Sequence, residues 1–63
     1  MKNNVKELRI ALNLRQEDLA NMLAVSRQTI ISVELGRYSP SLELAMRIAR
    51  IFNKPVEEIF MLD

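Results

Sequence analysis

The chain has no cysteine, no histidine and no tryptophan, and only one glycine and two prolines among 63 residues. Without cysteine there is no disulfide staple. With histidine also missing, the usual soft and imidazole metal ligands are gone, and so are the Cys–His and Ser–His catalytic pairings. The scarcity of glycine and proline, set against an apolar fraction of 49%, argues against a turn-rich β fold or a disordered segment and for a packed, helix-rich globule. Long hydrophobic runs are missing too. Residues Met1 to Glu7 hold no apolar leader core, and no window approaches bilayer length, so a cytoplasmic protein without membrane contact is expected.

Charge of one sign is also in short supply, the formal net being +1. Its distribution is uneven: Arg15, Arg27 and Arg37 occupy the middle, while Glu57, Glu58 and Asp63 crowd the end. The acidic pairs Glu17/Asp18 and Glu57/Glu58 are adjacent along the chain rather than facing, and so small a helical domain has little room for a substrate cavity. The sequence therefore points away from an enzyme, with no cofactor, no metal and no small-molecule ligand expected. No linker, repeat or low-complexity stretch divides it, so residues 1–63 read as a single domain. At this size one apolar core barely offsets the ordering entropy, and extra burial through a homodimer is expected.

Hydrophobic period and helix punctuation predict five short helices, an all-α, compact five-helix domain. The first spans about Asn4 to Leu12, with Val5, Leu8 and Leu12 facing inward and Asn13 suited to a left-handed terminus. The second spans Gln16 to Leu23, carrying Leu19, Ala20 and Leu23 on one face and Glu17 and Asp18 in its first turn, where the helix dipole favours acids. After the tight turn Ala24-Val25-Ser26, Ser26 caps a third helix running to about Leu35 before Gly36, with Ile30 and Val33 inward. Ser41 caps a fourth helix, Leu42 to Phe52, apolar around most of its circumference and expected to be the central core element. Pro55 suits the first turn of a last helix bearing Val56, Ile59 and Phe60 and ending almost at the C-terminus.

Two short helices joined by a three- to four-residue turn, the second opening on small polar and basic residues, form the geometry that puts one helix in a major groove while the other braces it. Gln16 to Leu35 fits that plan. Ala20 fits it too, because helices crossing steeply approach most closely near their midpoint, where a methyl can be accommodated.

The runs Gln16-Glu17-Asp18-Leu19-Ala20 and Val25-Ser26-Arg27-Gln28-Thr29-Ile30, with Glu34, Gly36 and Ser39-Pro40-Ser41-Leu42, resemble the Xre/Cro/C1 class of helix-turn-helix regulators over nearly the whole chain. The resemblance implies a lambda repressor-like DNA-binding fold in which the helix from Arg27 to Leu35 is the recognition helix, with Arg27, Gln28 and Ser32 facing base edges. Side-chain chemistry agrees, since Arg can give two hydrogen bonds to guanine and Gln two to adenine. It further implies that Gln16 touches a phosphate and braces the recognition helix, and that Ser26 lies against the backbone or a neighbouring base, a role compatible with its capping of the helix. Arg37 and Tyr38 are candidates for phosphate contacts or a solvated loop, and Arg15 adds positive charge or is a plain surface residue. Arg9 points toward the core side of the first helix and needs a partner or a route to solvent. The resemblance suggests a structural bridge to Glu34.

Four positions depart from the family pattern. Arg15 stands where Ser or Thr often caps the helix, Ala24 where the turn often has Gly, and Leu35 where a polar residue can reach the backbone. Ile31 replaces a small polar residue and could meet a thymine methyl. At the C-terminal end Val56, Ile59, Phe60, Met61 and Leu62 offer more apolar surface than one short helix hides, and relatives dimerise through this region. The function expected is an operator-binding regulator, more readily a repressor because no second domain is visible. The competing reading is an antitoxin-like protein-binding module using the apolar C-terminal surface.

Overall fold

In the computed structural model, which describes residues 1–62, the chain runs β1 (Lys2–Asn3), α1 (Val5–Ala11), α2 (Gln16–Leu23), α3 (Arg27–Glu34), α4 (Leu42–Phe52), α5 (Val56–Ile59) and β2 (Phe60–Met61). Asp63, part of the acidic C-terminal end, lies outside the described residues.

Helices α1 to α4 stop by one device. A left-handed residue follows each end, directly after α2 and α4 at Ala24 (φ 56°) and Asn53 (φ 55°), and one position beyond the cap of α1 and α3 at Asn13 (φ 59°) and Gly36 (φ 75°). In each case the next amide reaches back to a carbonyl inside the helix, Leu14 to Arg9, Val25 to Ala20, Arg37 to Ser32 and Lys54 to Ala49, all at 3.0–3.1 Å. These bonds satisfy carbonyls that the helix end would otherwise leave orphaned. Gly adopts this conformation without a Cβ penalty and Asn tolerates it, which makes Ala24 the odd member. Replacing Ala24 by Gly should therefore raise stability by about 0.5–1 kcal/mol, the relief of left-handed strain exceeding the extra entropy of an unfolded glycine. Thermal denaturation checks this, and a lower melting temperature for the variant would contradict it.

The helix starts are equally local. Ser26 Oγ accepts the Thr29 amide at 3.1 Å and Ser41 Oγ accepts the Leu44 amide at 3.2 Å, each filling one of the orphan donors of a first turn.

Inside, Leu19, Leu23, Ile30, Val33, Ile48, Ile59 and Val5 are almost wholly shielded from solvent, with Ala20 between α2 and α3. Helix α4 contributes Leu44, Ala45, Ile48, Ala49 and Phe52 to this core, but its Leu42 and Met46 face solvent beside Glu43, Arg47 and Arg50. Leu12, expected inward, is half exposed, because α1 ends at Ala11 and Leu12 becomes its cap.

The C-terminal end departs most from expectation. Helix α5 is four residues long, and Phe60 turns extended (φ −114°, ψ 133°) to pair with Asn3 while Met61 pairs with Lys2, an antiparallel two-stranded ribbon. A single helical turn has no cooperative reserve of its own, and the N-terminal strand supplies ladder partners that continued helix would forgo. Asn4 adds to the tie, its backbone amide donating to Ile59 O and its side-chain amide to Glu58 O, both at 3.1 Å. Among the described residues no helix is long and apolar enough to cross a membrane.

Candidate nucleic-acid interface

Helix α3 advances about 100° per residue, so Ile30 and Val33 define one side and Arg27, Gln28, Ile31 and Ser32 fall on the other. The burial follows: Ile30 and Val33 are fully enclosed, Arg27 and Gln28 are exposed, and Ile31 and Ser32 are half-buried at the margins of the same face. Leu35, just past the helix, continues this face and is also exposed. Extensive packing against α2 holds the opposite side. The result is a short rigid helix presenting an arginine, an amide, a hydroxyl and an aliphatic group together.

Two hollows flank the start of α3. One is polar and is lined by Arg9, Arg15, Gln16, Glu17 and Arg27, so that three residues expected at DNA share a single concave surface. The other is lined by Ser26, Gln28, Thr29, Ser32 and Tyr38. Thr29 had no role in the sequence reading. Its hydroxyl lies 2.9 Å from Ser26 Oγ and helps orient that capping group, a pairing that the i, i+3 spacing of the two hydroxyl residues could have signalled. Arg37 is exposed in the turn after α3, its backbone amide bonded to Ser32 O.

Beneath the polar hollow sits a buried charge network. Arg9 Nε donates to Glu34 Oε2 at 2.7 Å and Nη2 to Glu34 Oε1 at 3.3 Å, while Nη1 donates to Leu14 O at 2.8 Å. The two side chains are 10% and 5% exposed, so the pair is enclosed rather than superficial. Gln16 completes it, its Nε2 donating to Glu34 Oε1 at 3.2 Å. Gln16 is expected at the phosphate backbone and as a brace for the recognition helix; in the structure its amide nitrogen is engaged with the carboxylate at the last residue of α3. This orients the Gln16 side chain from below and joins α1, α2 and α3 at one point.

Arg15 is likewise engaged. Its guanidinium donates to both carboxylate oxygens of Asp18 at 3.1 and 3.0 Å, and its backbone amide donates to Asp18 Oδ2 at 2.8 Å. Arginine has no acceptor with which to cap α2, but the reciprocal half of a capping box survives through Asp18. In the free protein the Arg15 charge is thus compensated, whereas Arg27 and Arg37 have no carboxylate partner within salt-bridge distance among the described residues. The side-chain bonds from Arg15, and then its backbone N–H, hold the Asp18 carboxyl below the usual carboxylate range. A lowered folded-state pKa stabilises the fold above the ordinary Asp value of about 4, and that contribution disappears as pH falls through the lowered value. A carboxyl-carbon NMR titration should give Asp18 a midpoint below that of an ordinary Asp, and Arg15→Ala should move it upward.

The expected dimer-forming residues divide. Ile59 is fully buried in the protein's own core and has no surface to offer a second chain, while Phe60 is nearly buried but still lines one wall of an open groove. The ribbon is the cause, since extended backbone at Phe60 turns its ring inward. Val56 and Met61 are half-buried, and Leu62 is 88% exposed. These three line an open apolar groove with Pro40 and with Leu42, itself 73% exposed and shared with a second hollow bearing Met46, Arg47 and Arg50. Leu42 and Met46, exposed members of the helix expected to be the central core element, are further interface candidates.

Comparison with known proteins matches residues 5–59 to the family described as Helix-turn-helix. The chain is 56% identical over 61 residues to an HTH-type transcriptional regulator of Methanocaldococcus jannaschii, itself uncharacterized, covering 97% of this chain and 92% of that protein. A regulator of the same description from Archaeoglobus fulgidus is 48% identical over 63 residues, covering all of this chain and 89% of the relative. The cryptic phage CTXphi transcriptional repressor RstR of Vibrio cholerae is 32% identical over 57 residues, covering 90% of this chain and 51% of the repressor.

Proposed function

This chain belongs to the helix-turn-helix family of transcriptional regulators, of the Xre/Cro/C1 type, and from that premise we propose that it reads a palindromic operator on double-stranded DNA as a homodimer and acts as a repressor. Residues 1–63 work as one cytoplasmic DNA-binding domain without catalytic activity, cofactor or small-molecule ligand. The observation that carries this reading is the solvent face of α3, where Arg27, Gln28, Ile31 and Ser32 stand together over a fully buried opposite face.

Major-groove edges offer acceptors on guanine for a bidentate Arg27, a donor–acceptor pair on adenine for Gln28, and a thymine methyl for Ile31, with Ser32 free to donate or accept. Register on the duplex comes from phosphate contacts. Arg37 and Tyr38 approach from the turn after α3. On the other side, the first backbone amides of α2 stand beside Gln16 and Arg15, with Ser26 at the start of α3. The dipole at that helix end favours an anion, and Arg15 would exchange Asp18 for phosphate. A two-fold dimer through Leu62, Met61, Val56, Leu42 and Met46 sets two recognition helices about 34 Å apart, one helical turn of DNA. Repression follows from occupying the operator, and the name of RstR supports that sign.

The test is selection from a random duplex pool at near-physiological salt, with sedimentation equilibrium to count subunits. Enrichment of an inverted repeat with half-sites one turn apart, bound by a dimer with affinity that falls steeply with salt, is the expected result. No enriched motif together with salt-insensitive binding would sink the proposal. In that case the exposed groove at Leu42 and Leu62 would make an antitoxin-like protein-binding module the better reading.

A further inference from the structure

We infer that Asn3 is a positioning residue for the recognition helix, tying the C-terminal end of α3 to the β1–β2 ribbon and thereby setting the tilt at which α3 meets DNA. The inference rests on the DNA-reading role proposed above.

The carboxamide of Asn3 is used almost completely. Its Nδ2 donates to Val33 O at 2.8 Å and to Met1 O at 3.0 Å, and its Oδ1 accepts the Val5 amide at 3.1 Å. Two carbonyls facing one end and an N–H facing the other leave a single orientation for the amide. Its backbone meanwhile pairs with Phe60 in the ribbon. One residue thus joins the start of α1, the C-terminal strand and, across thirty positions of sequence, the last turn of α3. Among the described residues no other side chain from outside the α2–α3 unit hydrogen-bonds to the backbone of α3.

Val33 O is well placed for such a tie. It lies among the terminal carbonyls that a helix cannot satisfy internally, and it also accepts the Gly36 amide at 3.0 Å in the turn that carries Arg37. At about 1.5 Å of rise per residue, an eight-residue helix is a lever of about 12 Å, so a small shift at its C-terminal end becomes a change of angle along the reading face. Base-edge hydrogen bonds are lost with such shifts, whereas flexible arginines can follow phosphates. The neighbouring Glu34 fastens the same turn to α1 and α2, and Asn3 fastens it to the ribbon from which Leu62 extends toward the proposed partner.

Two variants test this. Asn3→Asp keeps the acceptor for Val5 and removes both donors; Asn3→Ala removes everything. Each is compared with the parent at a temperature where circular dichroism shows full folding, by affinity for the selected operator, affinity for an unrelated duplex, and amide hydrogen exchange at Gly36 and Arg37. Operator affinity should fall about five- to tenfold, the scale of one net hydrogen bond, with unrelated duplex bound as before. Exchange at Gly36 and Arg37 should quicken while Ile48 and Ala49 stay protected. Unchanged operator affinity, or affinities for both duplexes falling together, overturns the inference. Should the parent prefer no sequence, the DNA-reading role itself fails, and exchange at Gly36 and Arg37 decides alone whether Asn3 holds α3.

Discussion

Replacing Glu34 by alanine is expected to leave the protein largely unfolded at ambient temperature. The substitution strands the Arg9 guanidinium, only 10% exposed, without its carboxylate, and removes the acceptor for Gln16 Nε2. Breaking a buried pair from one side typically costs about 3–5 kcal/mol, because the remaining charge is neither hydrated nor neutralised. A domain of 63 residues holds a total stability of only about 3–9 kcal/mol at ordinary values per residue. The loss is comparable to the whole. Glu34→Gln, which keeps the shape and one acceptor, should fall between parent and alanine variant. Arg9→Met combined with Glu34→Leu should recover much of the loss, since removing both charges also removes their desolvation penalty. Urea denaturation of the four proteins checks this. A Glu34→Ala midpoint near that of the parent would show that the network contributes little.

The second large effect concerns DNA. Arg27→Ala with Gln28→Ala should abolish sequence preference while leaving the fold intact. Each bidentate base contact contributes about 1–3 kcal/mol of discrimination, so losing two amounts to about 30-fold at the least and more than 10⁴-fold at the most. Specific affinity should drop to the level of an unrelated duplex. Both side chains are exposed and make no intramolecular hydrogen bond with another side chain among the described residues, so the melting temperature should barely move. Non-specific binding should weaken only modestly and keep most of its salt dependence, because Arg37 and the α2 N-terminus are untouched. Run singly, Gln28→Ala should relax one position of the selected motif and leave the rest readable. Enrichment of the parental motif by the double variant would remove the recognition-helix assignment.

The two variants separate fold from reading, and the same separation describes what could be read from the residues. Helix positions and ends were legible because they depend on neighbours within a few residues. Ser26 and Ser41 cap the turns they precede, and Asn13, Gly36 and Asn53 tolerate the left-handed conformation that ends a helix. The two sides of α3 were legible for the same reason, since the spacing of Ile30 and Val33 leaves only one face for Arg27, Gln28, Ile31 and Ser32. Some side chains were misjudged where apolar character was the only guide. Leu12, Leu42 and Met46 are as hydrophobic as the core residues beside them, and periodicity alone does not say how much of a helix its neighbours cover.

By itself, then, the sequence determined the five helices, the stops of the first four and the composition of the exposed face of α3, all matters of local backbone preference and helical period. Tertiary structure alone decided the ribbon that shortens α5 and buries Phe60, and the engagement of Gln16 with Glu34. It also decided the grip of Asn3 on Val33. Each of these joins residues far apart along the chain, and such bonds form only after the core has closed and brought their partners within hydrogen-bonding distance.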